Sequence, residues 1–193
     1  MRTITRLGAL SVLLATVLTG WWLRSAGAGS AVGVGPNVEV STATPKQLEL
    51  ASWAVERFEA VGLEPPVVEI AFHDDRSGCH GHLGFARSGR VDVCTVLVNA
   101  MTRRTILHEM SHIWLDQNVD GATRLRFLAL RNLPSWNSAD DRWEFRGCEH
   151  GAEILAWAIG ERILTPQVPG NDPRSIAEAF ELLTGIPLPS LVV

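Results

Sequence analysis

The chain has 193 residues, of which 46% are apolar and 20% are charged, and its formal net charge at pH 7 is −4. This length and composition are typical of one folded domain and exclude a chain that is disordered throughout. Because the net charge is negative, no basic surface for nucleic acid is expected, and nucleic acid is excluded as a partner.

The N-terminus has the pattern of a secretory signal. Arg2 and Arg6 precede an uncharged apolar stretch at residues 7–23, and small residues follow at 25–31. We interpret residues 1–28 as a signal peptide or an N-terminal anchor. Both alternatives predict a secreted or extracytoplasmic protein, which meets the membrane only if an uncleaved anchor remains.

Residues 29–44 are rich in Gly, Ser, Thr and Val and are interpreted as a linker, and residues 45–193 as a single domain. Thr44 and Pro45 are residue types favoured at the N-cap and first position of a helix, so a helix is predicted over residues 45–61. Runs of β-branched and apolar residues bounded by turn signals predict three strands, over residues 67–72, 82–86 and 91–98.

Helical spacing predicts the remaining elements, which are helices over residues 102–116, 123–131, 148–164 and 172–185. Strands that precede a series of helices indicate an α+β fold. We therefore expect a small antiparallel three-stranded sheet packed on helices.

The chain has three cysteines. Cys79 and Cys94 flank a Gly-rich segment that reads as a hairpin, so they are the candidate disulfide pair of an exported protein. Cys148 would then remain a thiol.

The central motif is His108-Glu109-Met110-Ser111-His112, on the predicted helix 102–116. Residues four apart lie on one face of a helix, so both imidazoles can bind one metal ion. Glu109 can take a proton from a water at that metal. The pattern is the HExxH signature of zinc metallopeptidases.

A catalytic zinc usually has three protein ligands and one open position. Glu149 is the best candidate for the third ligand, since it and Glu153 stand four apart in an otherwise apolar helix. Burying unpaired carboxylates there is costly unless a cation is present. Glu153 is expected to accept a hydrogen bond from the second ring nitrogen of a ligating histidine, which fixes the orientation of that ring.

These motifs resemble the gluzincin, thermolysin-like branch of the zincin metallopeptidases, in particular its small single-domain members. The resemblance implies a zincin-like core in which Zn²⁺ is held by His108, His112 and Glu149, with Glu109 as the base and Glu153 beside a ligand histidine. It also implies that the strand predicted at 91–98 is the sheet edge along the cleft, where an extended peptide adds as a strand. The segment 133–146, between the two ligand helices, is expected at the rim of this cleft.

The chain contains no tyrosine, so a tyrosine cannot stabilise the oxyanion that forms when water attacks a carbonyl. The sequence leaves five candidate donors besides backbone amides: His73, His80, His82, Arg146 and His150. His150 adjoins the predicted ligand Glu149.

The sequence therefore predicts an exported, monomeric, zinc-dependent metallopeptidase that acts on a peptide or protein substrate. The alternative is a non-enzymatic cell-envelope protein whose zinc has only a structural role. In that case the site would be closed by a fourth protein ligand, and the thiolate of Cys148 is the expected one.

Overall fold

The computed structural model describes residues 31–95 and 97–188. The prediction of a signal peptide or anchor at 1–28 lies outside the described residues. Within those two ranges, no helix is long and apolar enough to cross a membrane.

The described part of the chain contains five α-helices, and four of them begin after a residue whose side chain accepts a hydrogen bond from a backbone N–H of the first turn. They are α1 (Pro45–Ala60), α2 (Ala100–Asn118), α3 (Gly121–Arg131), α4 (Gly147–Ile159) and α5 (Pro173–Thr184). Thr44 and Gln47 form a capping box at α1, as the residue types predict. Helix α4 ends short of the predicted residue 164, because Gly160 adopts an extended conformation.

Within the described residues, the sheet has five strands and is mixed. They are β1 (Val32–Gly35), β2 (Val38–Thr42), β3 (Val68–His73), β4 (Gly84–Arg87) and β5 (Arg90–Cys94), in the spatial order β1-β2-β3-β5-β4. The pairs β1–β2 and β4–β5 are antiparallel, whereas β2–β3 and β3–β5 are parallel.

The α+β class is thus confirmed, but the prediction of a three-stranded antiparallel sheet was wrong. The interpretation of 29–44 as a linker was also wrong for most of that segment, because β1 and β2 extend the sheet beyond β3. The two strands that were not predicted share one cause: the glycines around Val32 and Val34 gave the segment the composition of a loop.

One face of the sheet packs against helices. Val91 and Val93 of β5 are fully buried in the core, together with Phe58 of α1 and Met110 of α2. Because alternate residues of a strand point to opposite faces, Asp92 lies on the other face.

The carboxylate of Asp92 is buried on that outer face, where a histidine and an arginine contact it. Its side chain is 2% exposed, Nε2 of His73 lies 2.7 Å from its Oδ1, and Arg90 reaches the same oxygen at 3.0 Å. Next to it, Cys79 and Cys94 are joined by a disulfide, which confirms the predicted pair. The disulfide closes the loop that contains β4.

Candidate metal centre

Helix α2 carries both histidines of the motif and is fixed at its start by Asn99, whose side chain accepts a hydrogen bond of 3.1 Å from the backbone N–H of Thr102. Its apolar face packs extensively on α4. Because α4 begins at Gly147, this packing brings Glu149, in the first turn of α4, opposite His108 and His112.

Three potential ligand atoms converge between the two helices. Nε2 of His108 and Nε2 of His112 are 3.1 Å apart, and each lies 3.2 Å from Oε2 of Glu149. These residues form the one group of histidine, cysteine or acidic side chains in residues 31–95 and 97–188 whose arrangement suits a metal ion.

The triangle has the size that zinc requires. Bonds of about 2.0–2.1 Å in a tetrahedral site place the ligand atoms about 3.3–3.4 Å from one another. Two imidazole nitrogens and one carboxylate oxygen are also a donor set of catalytic zinc sites. The residues therefore fit the metal in both spacing and chemistry.

Glu153 lies one turn after Glu149 on α4 and is only 4% exposed. Its Oε1 is 3.0 Å from Nδ1 of His108. The contact is close, although it does not have the alignment of a full hydrogen bond. The structure thus brings Glu153 to the ring nitrogen that the sequence argument assigned to it.

The carboxylates and histidines shift one another's pKa values. For His108, burial opposes the charged ring, but contacts with Glu149 and Glu153 outweigh it and raise the pKa to about 10. For both acids, burial opposes ionisation, but other contacts outweigh it. The two histidines hold the pKa of Glu149 well below its usual range, and His108, with two further cationic or N–H partners, lowers the pKa of Glu153 to about 2. The two carboxylates are therefore ionised beside the imidazole rings, an arrangement that suits a cation.

Glu109 lies between α2 and β4. A Cβ atom built on Gly84 of β4 would stand 2.6 Å from Cγ and 2.7 Å from Oε1 of Glu109, so the strand touches the side chain directly. Burial raises the pKa of Glu109, and the nearby rings of His108 and His112 only partly offset the rise. A divalent cation bound nearby would lower the pKa of Glu109.

An open cleft runs along β4 and α2 and contains the cluster. Its lining includes His108, Glu109, His112 and Glu149, residues 81–87 around the edge strand, and Trp136, Asn137, Trp143 and Arg146 of the segment expected at the rim. The strand along this cleft is β4. Strand β5 lies between β3 and β4, so the expectation that the strand predicted at 91–98 forms the sheet edge was wrong.

Other sequence candidates fall outside this cluster. His150 is 1% exposed, its Nε2 lies 2.7 Å from the carbonyl oxygen of Glu144, and it does not line the cleft. The suggestion that it is an oxyanion donor therefore has no geometric support. Of the other four candidates, His82 and Arg146 line the cleft.

Cys148 is a buried free thiol and does not join the ligand group. Burial raises the pKa of this thiol to about 12.

Sequence reasoning missed three contributors to the site. Gly84 makes room for Glu109, Arg104 pairs with Glu153, and the indole of Trp143 stacks near His108 with a centroid distance of 6.4 Å. Arg104 offered a signal, since it stands one turn before His108 on the same helix face. Gly84 offered none, because the need for glycine arises from a contact between distant segments.

Comparison of the chain with protein-family models, curated proteins and solved structures finds no match.

Proposed function

We propose that the protein is an exported zinc-dependent metallopeptidase, with His108, His112 and Glu149 as the metal ligands. The observation that carries the proposal is the triangle of 3.1–3.2 Å between their ligand atoms. Export is supported by the N-terminal sequence pattern and by the Cys79–Cys94 disulfide, since such bonds persist in oxidising compartments.

A catalytic role is favoured over a structural one by the openness of the site. Among the residues that the structure describes, three side chains converge as ligands and no fourth joins them. The same atoms line an open cleft. Catalytic zinc sites keep one position free in this way, whereas structural sites are closed.

When bound, zinc would supply Lewis-acid polarisation of the substrate carbonyl. Glu109 would accept a proton from the attacking water and pass it to the leaving nitrogen. Glu153 would keep the ring of His108 oriented with Nε2 toward the metal.

The substrate would lie along β4. This strand is at the end of the sheet, and Gly84 to Arg87 line the cleft, so an extended peptide can add to its free edge by backbone hydrogen bonds. Of the five donors that the sequence left open, His82 and Arg146 line this cleft and could donate to the oxyanion.

The test pairs two variants with a control. Glu109→Gln should retain one zinc per chain and lose cleavage of a general protein substrate such as casein. Glu149→Ala should lose zinc. Glu181→Gln makes the same chemical change as Glu109→Gln at an exposed position on α5 and should behave as wild type.

Zinc uptake can also be followed by stability. A metal at a hundred times its dissociation constant raises the free energy of unfolding by about 2.7 kcal/mol. Full cleavage by Glu109→Gln would exclude that residue as the base. Zinc binding without cleavage by wild type would instead favour the structural alternative.

A further inference from the structure

The carboxylate of Glu153 is contacted by two side chains of α2 and by one backbone N–H of the segment that follows α4. Its Oε1 faces Nδ1 of His108 at 3.0 Å. Its Oε2 accepts a hydrogen bond from the guanidinium of Arg104 on α2 and another, of 2.9 Å, from the backbone N–H of Gln167. The side chains of Glu153 and Arg104 are 4% and 15% exposed, so water competes little for these bonds.

The two oxygens of this carboxylate thus have different partners. A buried carboxylate held by one donor can still rotate about its last bond. Here Oε2 receives two donors, which leaves Oε1 directed at His108. A hydrogen bond to the second nitrogen of a ligating histidine sets the tautomer and the direction of the lone pair on the first.

Arg104 also connects the two helices of the site. It stands one turn before His108 on α2, and its partner Glu153 is on α4. The ion pair therefore fixes Glu153 relative to the helix that carries the ring it must orient. Arg103, the next residue in the chain, instead pairs with Glu161 at 2.6 Å and lies over the ring of Trp53.

We propose that Arg104 is a positioning residue of the metal centre, acting on His108 through Glu153. This inference rests on the proposed function only in taking His108 as a metal ligand. It assigns to Arg104 an effect on metal affinity and on the geometry of the bound metal.

Loss of Arg104 should change the zinc affinity in opposite directions under a purely electrostatic role and under a positioning role. Removing a positive charge near a cation site should tighten binding of a divalent ion. A positioning role predicts weaker binding, because Glu153 is no longer fixed. Arg103→Gln removes the same charge from the neighbouring residue, which pairs with Glu161 instead, and so measures the electrostatic effect with the contact to Glu153 left in place.

The experiment measures the zinc dissociation constant by competition with a chromophoric chelator at one pH, together with the visible absorption spectrum of the Co²⁺-substituted protein. Glu153→Gln should weaken zinc binding about 10–100-fold, the usual effect of losing such a partner. Arg104→Gln should weaken it about tenfold and shift the Co²⁺ spectrum. Arg103→Gln should leave binding unchanged or slightly tighter.

The double variant Arg104→Gln/Glu153→Gln decides whether Arg104 acts through Glu153. Residues that act in one network are not additive, so the double variant should bind zinc as Glu153→Gln does. The inference would be overturned if the losses of zinc affinity in the two single variants added fully in the double variant. It would also be overturned if the Arg104→Gln variant bound zinc as tightly as the Arg103→Gln variant. Arg104→Lys keeps the charge but loses the planar fork; it should bind zinc less tightly than wild type, which keeps the test decisive if Arg104→Gln does not fold.

The wild-type protein separates this inference from the proposed function. If wild type takes up no zinc, the proposed metal site fails and the role of Arg104 fails with it. If wild type binds one zinc and Arg104→Gln has wild-type affinity and spectrum, only the role of Arg104 is refuted.

Discussion

Replacing Gly84 by alanine inserts a methyl group into the contact between β4 and α2. The new Cβ would lie 2.6 Å from Cγ of Glu109 and 2.7 Å from Cγ2 of Thr105. Carbon atoms in ordinary contact are about 3.5–4.0 Å apart. The strand or the Glu109 side chain must therefore move by about 1 Å.

Two magnitudes follow from this displacement. Overpacking of a tight contact costs about 1–3 kcal/mol, so the free energy of unfolding should fall by that amount. A catalytic group misplaced by about 1 Å loses about a hundredfold in rate, which corresponds to about 2.7 kcal/mol of transition-state stabilisation. Zinc binding should persist, since no atom of His108, His112 or Glu149 is among the nearest neighbours of the new methyl group.

The assay combines urea unfolding, zinc stoichiometry and the kcat/KM for a peptide substrate. Gly33→Ala is the matched control: Gly33 is also in an outer strand of the sheet, and a Cβ there would meet no atom within 4 Å. That variant should be as stable and as active as wild type. If Gly84→Ala also keeps wild-type stability and kcat/KM, then Glu109 is not held against β4 and the geometric argument for the base is wrong.

Three further predictions concern the disulfide, the outer face of the sheet and the cleft wall. Cys79→Ser/Cys94→Ser, or reduction of wild type, should lower the free energy of unfolding in urea by about 3 kcal/mol, as expected for a loop of this length. For Asp92, burial opposes ionisation but hydrogen bonds from Arg90 and His73 outweigh it and lower the pKa. Its carboxylate therefore stabilises the fold above the unfolded pKa of about 4 and loses that effect as pH falls through the lowered value, so Asp92→Asn should be less stable than wild type at pH 7 and approach it in acid. Co²⁺ should quench the fluorescence of Trp143, which stacks near His108; a Trp143→Phe variant with undiminished quenching would place the metal elsewhere.

The helices could be predicted because their limits depend on nearby residues. Thr44 and Gln47 cap α1 within one turn, and Asp172, Pro173 and Gly185 start and end α5 in the same local way. Such signals act over three or four residues and are visible in the sequence.

The sheet could not be predicted to the same extent, because strand order depends on contacts between distant segments. β3 and β5 are parallel neighbours, although β4 lies between them in sequence. Because few residues separate β3, β4 and β5, antiparallel pairing of each strand with the next along the chain was the natural expectation. The alternation of Val38 and Val40, both buried, was a period-two signal for β2, but the glycines before it suggested a loop.

At the site, the two histidines were predicted from their spacing, and the two acids from the free-energy cost of burying unpaired carboxylates. His108 and His112 share a helix face, which any HExxH helix guarantees. Glu149 and Glu153 were assigned because two acids on an apolar helix need compensation, and the structure places both against His108. Arg104 was not predicted, because its place one turn before His108 does not by itself show that it meets the carboxylate of Glu153.

The supports of the proposed centre are separate, so the variants can identify which step fails. Helices α2 and α4 hold the ligand atoms, the hairpin of β4 and β5 holds Gly84 against Glu109, and the Cys79–Cys94 disulfide closes that hairpin. Loss of Glu149 should remove the metal. Loss of the Glu109 carboxylate should remove proton transfer but leave the metal bound. A methyl at Gly84 should displace the base while the metal and the Glu109 carboxylate are both still present. A structural zinc site would respond differently, since only the first change would alter any measured property beyond stability.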